Sequence, residues 1–284
     1  MVVTTDTLVA GTHFLDDTTP SDLGYKSLAV NLSDLAAMGA DPAWFFLALT
    51  LPELDTQWLD EFAFGIADLA SATGVVLAGG DTTCGPLSVT ITAMGLVEQG
   101  AAISRSGALE GDLIVVSAPL GDAAFALDQL SSGETADPQV RQSLDRPEPR
   151  LHLGQRLRGL ATSCIDVSDG LMADLGHILQ ASGVGAEVQL EDLPCSQALS
   201  QAGEQKRYEL QLTGGDDYEL CFTVPPGRVA ELDQIRRETG LPLTVVGRIT
   251  GSSKLVFRTL SGDAYRPSGQ AYEHFAKSEN GKIR

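Results

Sequence analysis

The stretch that most limits how this chain can fold is residues 21–39, SDLGYKSLAVNLSDLAAMG. Its apolar residues recur at helical spacing, Ser21 or Asp22 offers a cap, and Gly39 ends it. Ser27, Asn31 and Asp34 fall at i, i+4 and i+7, one narrow polar stripe on an otherwise apolar helix. So much alanine and leucine around the stripe argues against a solvated face. The stripe must meet something polar inside the protein.

Around this helix the order of elements is legible. Residues 2–14, VVTTDTLVAGTHF, begin as a strand, and AWFFLALTL at 43–51 reads as another. A second helix over roughly 55–72 carries Trp58, Phe62, Ile66 and Leu69 on one face. GVVLAGGDTT and a further strand complete the pattern to residue 99. After SRSGALEGD the pattern restarts with LIVVSAP as a strand and a helix from Gly121 to Leu130. A polar, proline-bearing stretch at 131–150 reads as surface, and a helix follows near 150–160. Then come the strand–turn–helix CIDVSDGLMADLGHILQASG and the strands AEVQL, YELCFTV, LTVVGRIT and KLVFRTL. These runs predict an α+β protein with a first domain over 1–106, a second over 107–275 and a polar tail at 276–284.

Charge and composition remove several classes. Lys and Arg number 19 against 38 Asp and Glu, for a net charge of −19. A nucleic-acid surface needs the opposite balance, so an acidic protein that handles anions must do so through metal ions. The longest apolar run stops at Pro52, too short to span a bilayer, and the N-terminus has no signal-peptide pattern; a cytoplasmic setting is expected. Cys84, Cys164, Cys195 and Cys221 form no C-x-x-C pair and read as small, buried, reduced residues.

The carboxylates stand where cores do not usually put them. Asp6 closes TTD, Asp34 lies in the polar stripe, Asp81 follows AGG, Asp166 and Asp169 bracket DVSD, and Asp216 and Asp217 follow TGG. A strand broken at Gly79 and Gly80 would let the backbone approach a ligand, with Asp81, Thr82 and Thr83 as hard oxygen donors; a glycine turn with an Asp cap is the plainer alternative. In DVSD, Asp166 would end a buried strand, Asp169 would cap the next helix, and Ser168 would face its N-terminus, a natural phosphate position. Adjacent carboxylates in GGDD call for a cation or a solvated turn. His13, His152, His177 and His274 are isolated. No P-loop, G-x-S-x-G elbow or complete G-x-G-x-x-G occurs. Many carboxylates without a nucleophile or base point to metal-assisted chemistry.

Taken together, TTDTLVAGTHF, YKSLAVNLSDLAAMGADP, LAGGDTTCGPLSVTITAMG, SRSGALEGD, RPEPR, IDVSDGLMADL and GGDDYELCF resemble the thiamine-monophosphate kinases, in that family's order, from about Thr4 to Phe275. The resemblance implies a two-domain α+β fold like that of aminoimidazole-ribonucleotide synthetase, with N-terminal domains pairing in a homodimer and ATP in the cleft. It implies transfer of the γ-phosphoryl of ATP onto thiamine monophosphate. Implied magnesium ligands are Thr4, Thr5, Asp6, Asp34, Asp81, Asp166 and Asp169, of which Asp34, Asp81 and Asp166 act in catalysis together with Arg105. Gly80, Asp81, Arg105 and Ser168 would contact ATP, and His13, Asp216, Asp217 and Tyr272 the substrate.

Two departures from the family pattern stand out. Asp216 takes the place of the usual Glu, one methylene shorter. The family also carries some forty residues ahead of this first strand, including a Gly-Asp-Asp segment that binds the phosphate-bridging magnesium ions. The chain is therefore expected to lack a strand, a metal ligand and part of the dimer edge. The alternatives are a sister ATP-dependent synthetase, a nucleotide- or magnesium-binding protein without catalysis, and a metal-dependent phosphatase.

Overall fold

The computed structural model describes residues 1–269. The first helix, α1 (Pro20–Ala37), is capped by Thr19 rather than by Ser21 or Asp22. The Thr19 hydroxyl accepts the Asp22 N–H at 3.1 Å and donates to the Asp22 carboxylate at 2.7 Å. Pro20 occupies the first helical position, where no N–H is needed. Thirteen of the eighteen residues of α1 are buried, so α1 is an interior helix rather than one with a single buried stripe.

Four strands lie against it: β1 (Val2–Val9), β2 (Asp41–Leu51), β3 (Val76–Cys84) and β4 (Ser88–Leu96), in the order β1-β4-β2-β3. The pairs β1–β4 and β2–β4 are antiparallel. The pair β2–β3 is parallel, with helix α2 (Thr56–Thr73) as its crossover. Glycines let α1 and α2 cross in backbone contact. A Cβ at Gly24 would lie 2.2 Å from the Phe62 carbonyl oxygen, and one at Gly65 would lie 1.8 Å from that of Ser21.

The second half opens with β5 (Leu113–Val116), followed by α3 (Asp122–Ser131), α4 (Pro138–Asp145), α5 (Leu151–Leu157), β6 (Ser163–Val167), α6 (Leu171–Ser182), β7 (Gly185–Gln189), α7 (Glu204–Thr213), β8 (Glu219–Val224), α8 (Glu231–Thr239), β9 (Thr244–Thr250), β10 (Leu255–Arg258) and β11 (Ala264–Tyr265). These strands form a mixed sheet ordered β11-β10-β7-β9-β5-β8-β6. It is covered on both faces, which explains why LIVV and ELCFTV read as unbroken apolar runs. Val115, Leu220 and Phe222 join one core with α1 and the first sheet, while Ile114, Val116 and Cys221 join a second core with Leu171 and Leu175 of α6. A single core thus runs from one sheet through α1 to the other.

Three expectations change. The stretch 131–150 is not simply surface: it holds α4, buries Val140 and Leu144, and straps the halves together. Arg146 pairs with Asp22 and Asp68 of the first half, and Arg150 with Glu219 of the second. Helices α7 and α8 fall in segments that carried no helical signal strong enough to be singled out. Cys164 and Cys221 are buried, but Cys84 is exposed on an edge strand. No helix among the described residues is long and apolar enough to cross a membrane.

The contact between α1 and α2 yields a prediction of opposite signs. Gly65→Ala should destabilise the fold by about 1–3 kcal/mol through overpacking. Gly176→Ala, in α6 with no atom within 4 Å of its Cβ position, should stabilise it by about 0.5–1 kcal/mol. Urea denaturation of both variants measures each difference.

Candidate active site

The stripe on α1 meets β1. Asn31, fully buried, accepts the Asp6 N–H through its side-chain oxygen at 3.2 Å and donates to the Ser27 carbonyl at 3.1 Å. The Asp34 carboxylate accepts the Thr4 hydroxyl. One residue earlier, the buried Ser33 hydroxyl donates to Asp166 on β6 at 2.7 Å. Ser33 thus fixes Asp166 of the second half while the next residue, Asp34, presents a carboxylate of the first half.

Crowding of acids shows in their proton affinities. Burial, reinforced by the charge of Asp34, a hydrogen bond with it and the charge of Asp169, pushes Asp6 up to about 6. Burial and the charge of Asp34 hold Asp166 well above the usual carboxylate range, against the opposing hydrogen bond from Ser33. The set lines a cleft of about 960 Å³ that also takes in His13, Ser168, Asp169, Asp216 and Tyr218, with Ala124 and Leu127 of α3 as an apolar wall. His13 accepts the Val9 N–H on Nδ1 at 3.0 Å, which leaves the proton of a neutral ring on Nε2. A second pocket of about 380 Å³ reaches Asp34 and Asp166 along with Thr4, Ser104 and the exposed Arg105. The Asp34–Asp166 pair therefore borders both spaces.

The turn after β6 differs from the expected cap. Helix α6 begins at Leu171 behind Gly170, and Asp169 does not cap it. Asp174, in its first turn, reaches back and accepts the N–H groups of Ser168 and Asp169, each at 3.0 Å. Burial pushes Asp174 up to about 7 despite these bonds. The residue went unnoticed in the sequence, although an acid in the first turn of a helix was the available signal.

The loop between α7 and β8 is strained. Asp216 and Tyr218 both have left-handed backbones, with φ of 67° and 51°. The two Asp216 oxygens are held by Lys26 and by the Tyr218 hydroxyl, each at 2.9 Å. Asp217 turns away from the cleft: both its oxygens accept the Gly121 N–H at 2.9 Å, anchoring the start of α3.

Three other residues, Thr5, Gly80 and Asp81, stand apart from the acidic cluster. The Thr5 hydroxyl pairs with Thr92 at 2.9 Å on the opposite face of the first sheet. Gly80 and Asp81 lie on β3, the far edge. The register runs Asp6, Ile91, Leu47, Gly80 across the sheet, about 14 Å at ordinary strand spacing. Strand β3 runs on through its glycines after a register shift between Leu77 and Gly79, and a Cβ at Gly80 would lie 1.9 Å from the Leu47 carbonyl oxygen. Strand packing requires that glycine. Tyr272 and the tail at 276–284 lie outside the described residues. Among the described residues, no three His, Cys, Asp or Glu side chains form a ready-made metal cage.

Comparisons with known proteins agree with this architecture. Residues 1–97 match the family model of the AIR synthase related protein N-terminal domain, and residues 110–259 match that of its C-terminal domain. The chain is 47% identical over 283 residues to the thiamine-monophosphate kinase of Escherichia coli (strain K12), covering 97% of this chain and 87% of that one. The crystal structure of thiamine-monophosphate kinase from Stenotrophomonas maltophilia K279a superposes with a TM-score of 0.88 at 47% identity, covering 93% of this chain and 86% of that one. AaThiL complexed with AMPPCP and TMP superposes with a TM-score of 0.85 at 30% identity, covering 96% and 86%.

The raised proton affinity of Asp6 fixes the sign of a pH effect. Its folded value of about 6 lies above that of an ordinary aspartate, so its ionisation destabilises the fold as pH rises through 4 to 6. Asp6→Asn should match wild-type thermal stability near pH 4, exceed it increasingly up to about pH 6, and keep a constant advantage above. Thermal melts in EDTA across that range check the sign.

Proposed function

The chain belongs to the thiamine-monophosphate kinase family, and on that premise we propose how its cleft transfers a phosphoryl group from ATP to thiamine monophosphate, giving thiamine diphosphate. The observation that carries the reading is the convergence of Asp6, Asp34, Asp166 and Asp169 from both halves onto one cleft. The acceptor is a phosphate oxygen whose second pKa is about 6, so it is already largely deprotonated near neutral pH and needs no general base. What the reaction needs is alignment and charge neutralisation of two polyanions.

Hard oxygen donors suit magnesium. Magnesium keeps several waters and takes one or two carboxylates plus substrate phosphates, and the carboxylates that face this cleft offer that kind of ligand. Thr4, Asp6, Asp34, Asp166 and Asp169 would hold the ions. Bound there, magnesium would neutralise phosphate charge. Arg105, which makes no ion pair with any described residue, adds positive charge beside Asp34 and Asp166. Ser168 faces the ATP phosphates, while His13 and Asp216 orient thiamine monophosphate. We place the reaction in the cytoplasm.

Pairing of two copies gives the outlying residues a role. Val3, Trp44, Phe46 and Leu96 are exposed on the outer face of the first sheet, and Thr5 and Asp81 share that face by strand alternation. A homodimer joined through it would place Thr5 and Asp81 of each protomer at the seam between the two copies.

Incubation with ATP, magnesium and thiamine monophosphate should give thiamine diphosphate, and omitting ATP should give neither product nor free phosphate. Release of phosphate without ATP would instead mark a phosphatase. Asp34→Asn and Asp166→Asn should each lower kcat by about 100-fold or more while circular dichroism stays unchanged. Asp81→Asn homodimers should be inactive, yet mixing with Asp34→Asn homodimers under exchange should recover roughly a quarter of wild-type activity if each site draws on both protomers. No recovery would place both residues in one protomer's site.

A further inference from the structure

Lys26 lies on α1 with its side chain 3% exposed, and its Nζ is 2.9 Å from Asp216, whose side chain is 32% exposed toward the cleft. The lysine belongs to the first half of the chain and the aspartate to the second. We infer that Lys26 is a positioning residue for substrate: it fixes the orientation of the Asp216 carboxylate from across the two halves and acts on catalysis only through it. The inference rests on the reading of Asp216 as a substrate contact.

Three observations carry it. First, both Asp216 oxygens have fixed donors, Lys26 Nζ on one and the Tyr218 hydroxyl on the other, while its N–H donates to the Ser168 carbonyl at 2.9 Å. Each carboxylate oxygen has a second lone pair, so the group can still accept a hydrogen bond from a ligand in the cleft. Second, the left-handed backbones at Asp216 and Tyr218 are costly for residues with side chains. A buried ion pair is weak evidence for stability on its own, and a strained loop needs an outside hold to stay in one conformation. Third, Lys26 and Ser33 are seven residues apart on α1, hence on the same face, about 10 Å along the axis. Ser33 holds Asp166 and Lys26 holds Asp216. One rigid helix thus fixes the distance between the carboxylate that contacts substrate and a carboxylate that serves phosphoryl transfer.

Lys26 also changes what Asp216 can do. With its charge already matched, Asp216 is an oriented acceptor rather than a free counter-ion. Recognition then depends on direction.

The test is a double-mutant cycle on the full chain with ATP and thiamine monophosphate. Lys26→Met should raise KM for thiamine monophosphate by about tenfold, about 1.4 kcal/mol, and leave KM for ATP within about twofold. Asp216→Asn should raise the same KM, and Lys26→Met should add nothing further in that background. An unchanged KM for thiamine monophosphate in Lys26→Met would overturn the inference, as would an equal rise in the Asp216→Asn background or a parallel rise in KM for ATP. If Lys26→Met does not fold, Lys26→Leu, which likewise removes the donor, is read by the same criteria. Wild-type chain that forms no thiamine diphosphate would sink the proposed function itself. Active wild type with a flat cycle sinks only the role of Lys26.

Discussion

Burial of α1 between two sheets is the constraint on which the rest of the molecule depends. A helix with apolar contacts on almost every side can carry polar residues only where each finds a partner. Ser27 donates to the Leu23 carbonyl, Asn31 spans the helix and β1, Ser33 holds Asp166, and Asp34 meets Thr4. The helix therefore cannot rotate or slide without orphaning several buried groups at once. The same contacts that fix its register fix the acidic cluster. Fold and site are one set of interactions here, not a scaffold with a site added.

The acids in turn explain the strap at 137–150. Carboxylates crowded together at the junction of two halves repel one another, and something must keep the halves closed. Arg146 on Asp22 and Asp68, Arg150 on Glu219, and Lys26 on Asp216 are all cations of one half or the strap set against acids of the other. Several of these pairs are part-buried, where solvent screens them less than at the surface. The continuous apolar core supplies most of the cohesion, and the ion pairs fix orientation.

Much of this was legible in the sequence, for physical reasons that also mark where reading failed. The stripe of Ser27, Asn31 and Asp34 was visible because polar residues at helical spacing are conspicuous on an apolar helix. Lys26 and Ser33 sit on the same helix outside that stripe, and their partners lie 190 and 133 residues away, a separation that no local pattern encodes. The run DVSDG suggested a cap at Asp169, but a cap is decided by backbone geometry, and Gly170 and Asp174 shared the task instead. The stretch 131–150 looked like surface because prolines and charges dominate it. Its arginines are nevertheless consumed by partners on both halves. Gly80 was read as room for a ligand, whereas the carbonyl of Leu47 occupies that room.

The motif TTD teaches the most general point. Read as a string, Thr4, Thr5 and Asp6 look like three ligands for one ion. In a strand, consecutive side chains leave on opposite faces, so Thr4 and Asp6 turn inward to α1 while Thr5 turns outward to Thr92. No strand can bring all three side chains to one point. The same alternation on β3 puts Asp81 in line with Ala48 on the outer face, beyond the reach of the inner cluster. The side chains of Thr4 and Asp6 therefore face α1, while those of Thr5 and Asp81 leave on the other face of the sheet. Thr5 and Asp81 share that outer face with the exposed Val3, Trp44 and Phe46, so one strand motif delivers its polar groups to two separate environments.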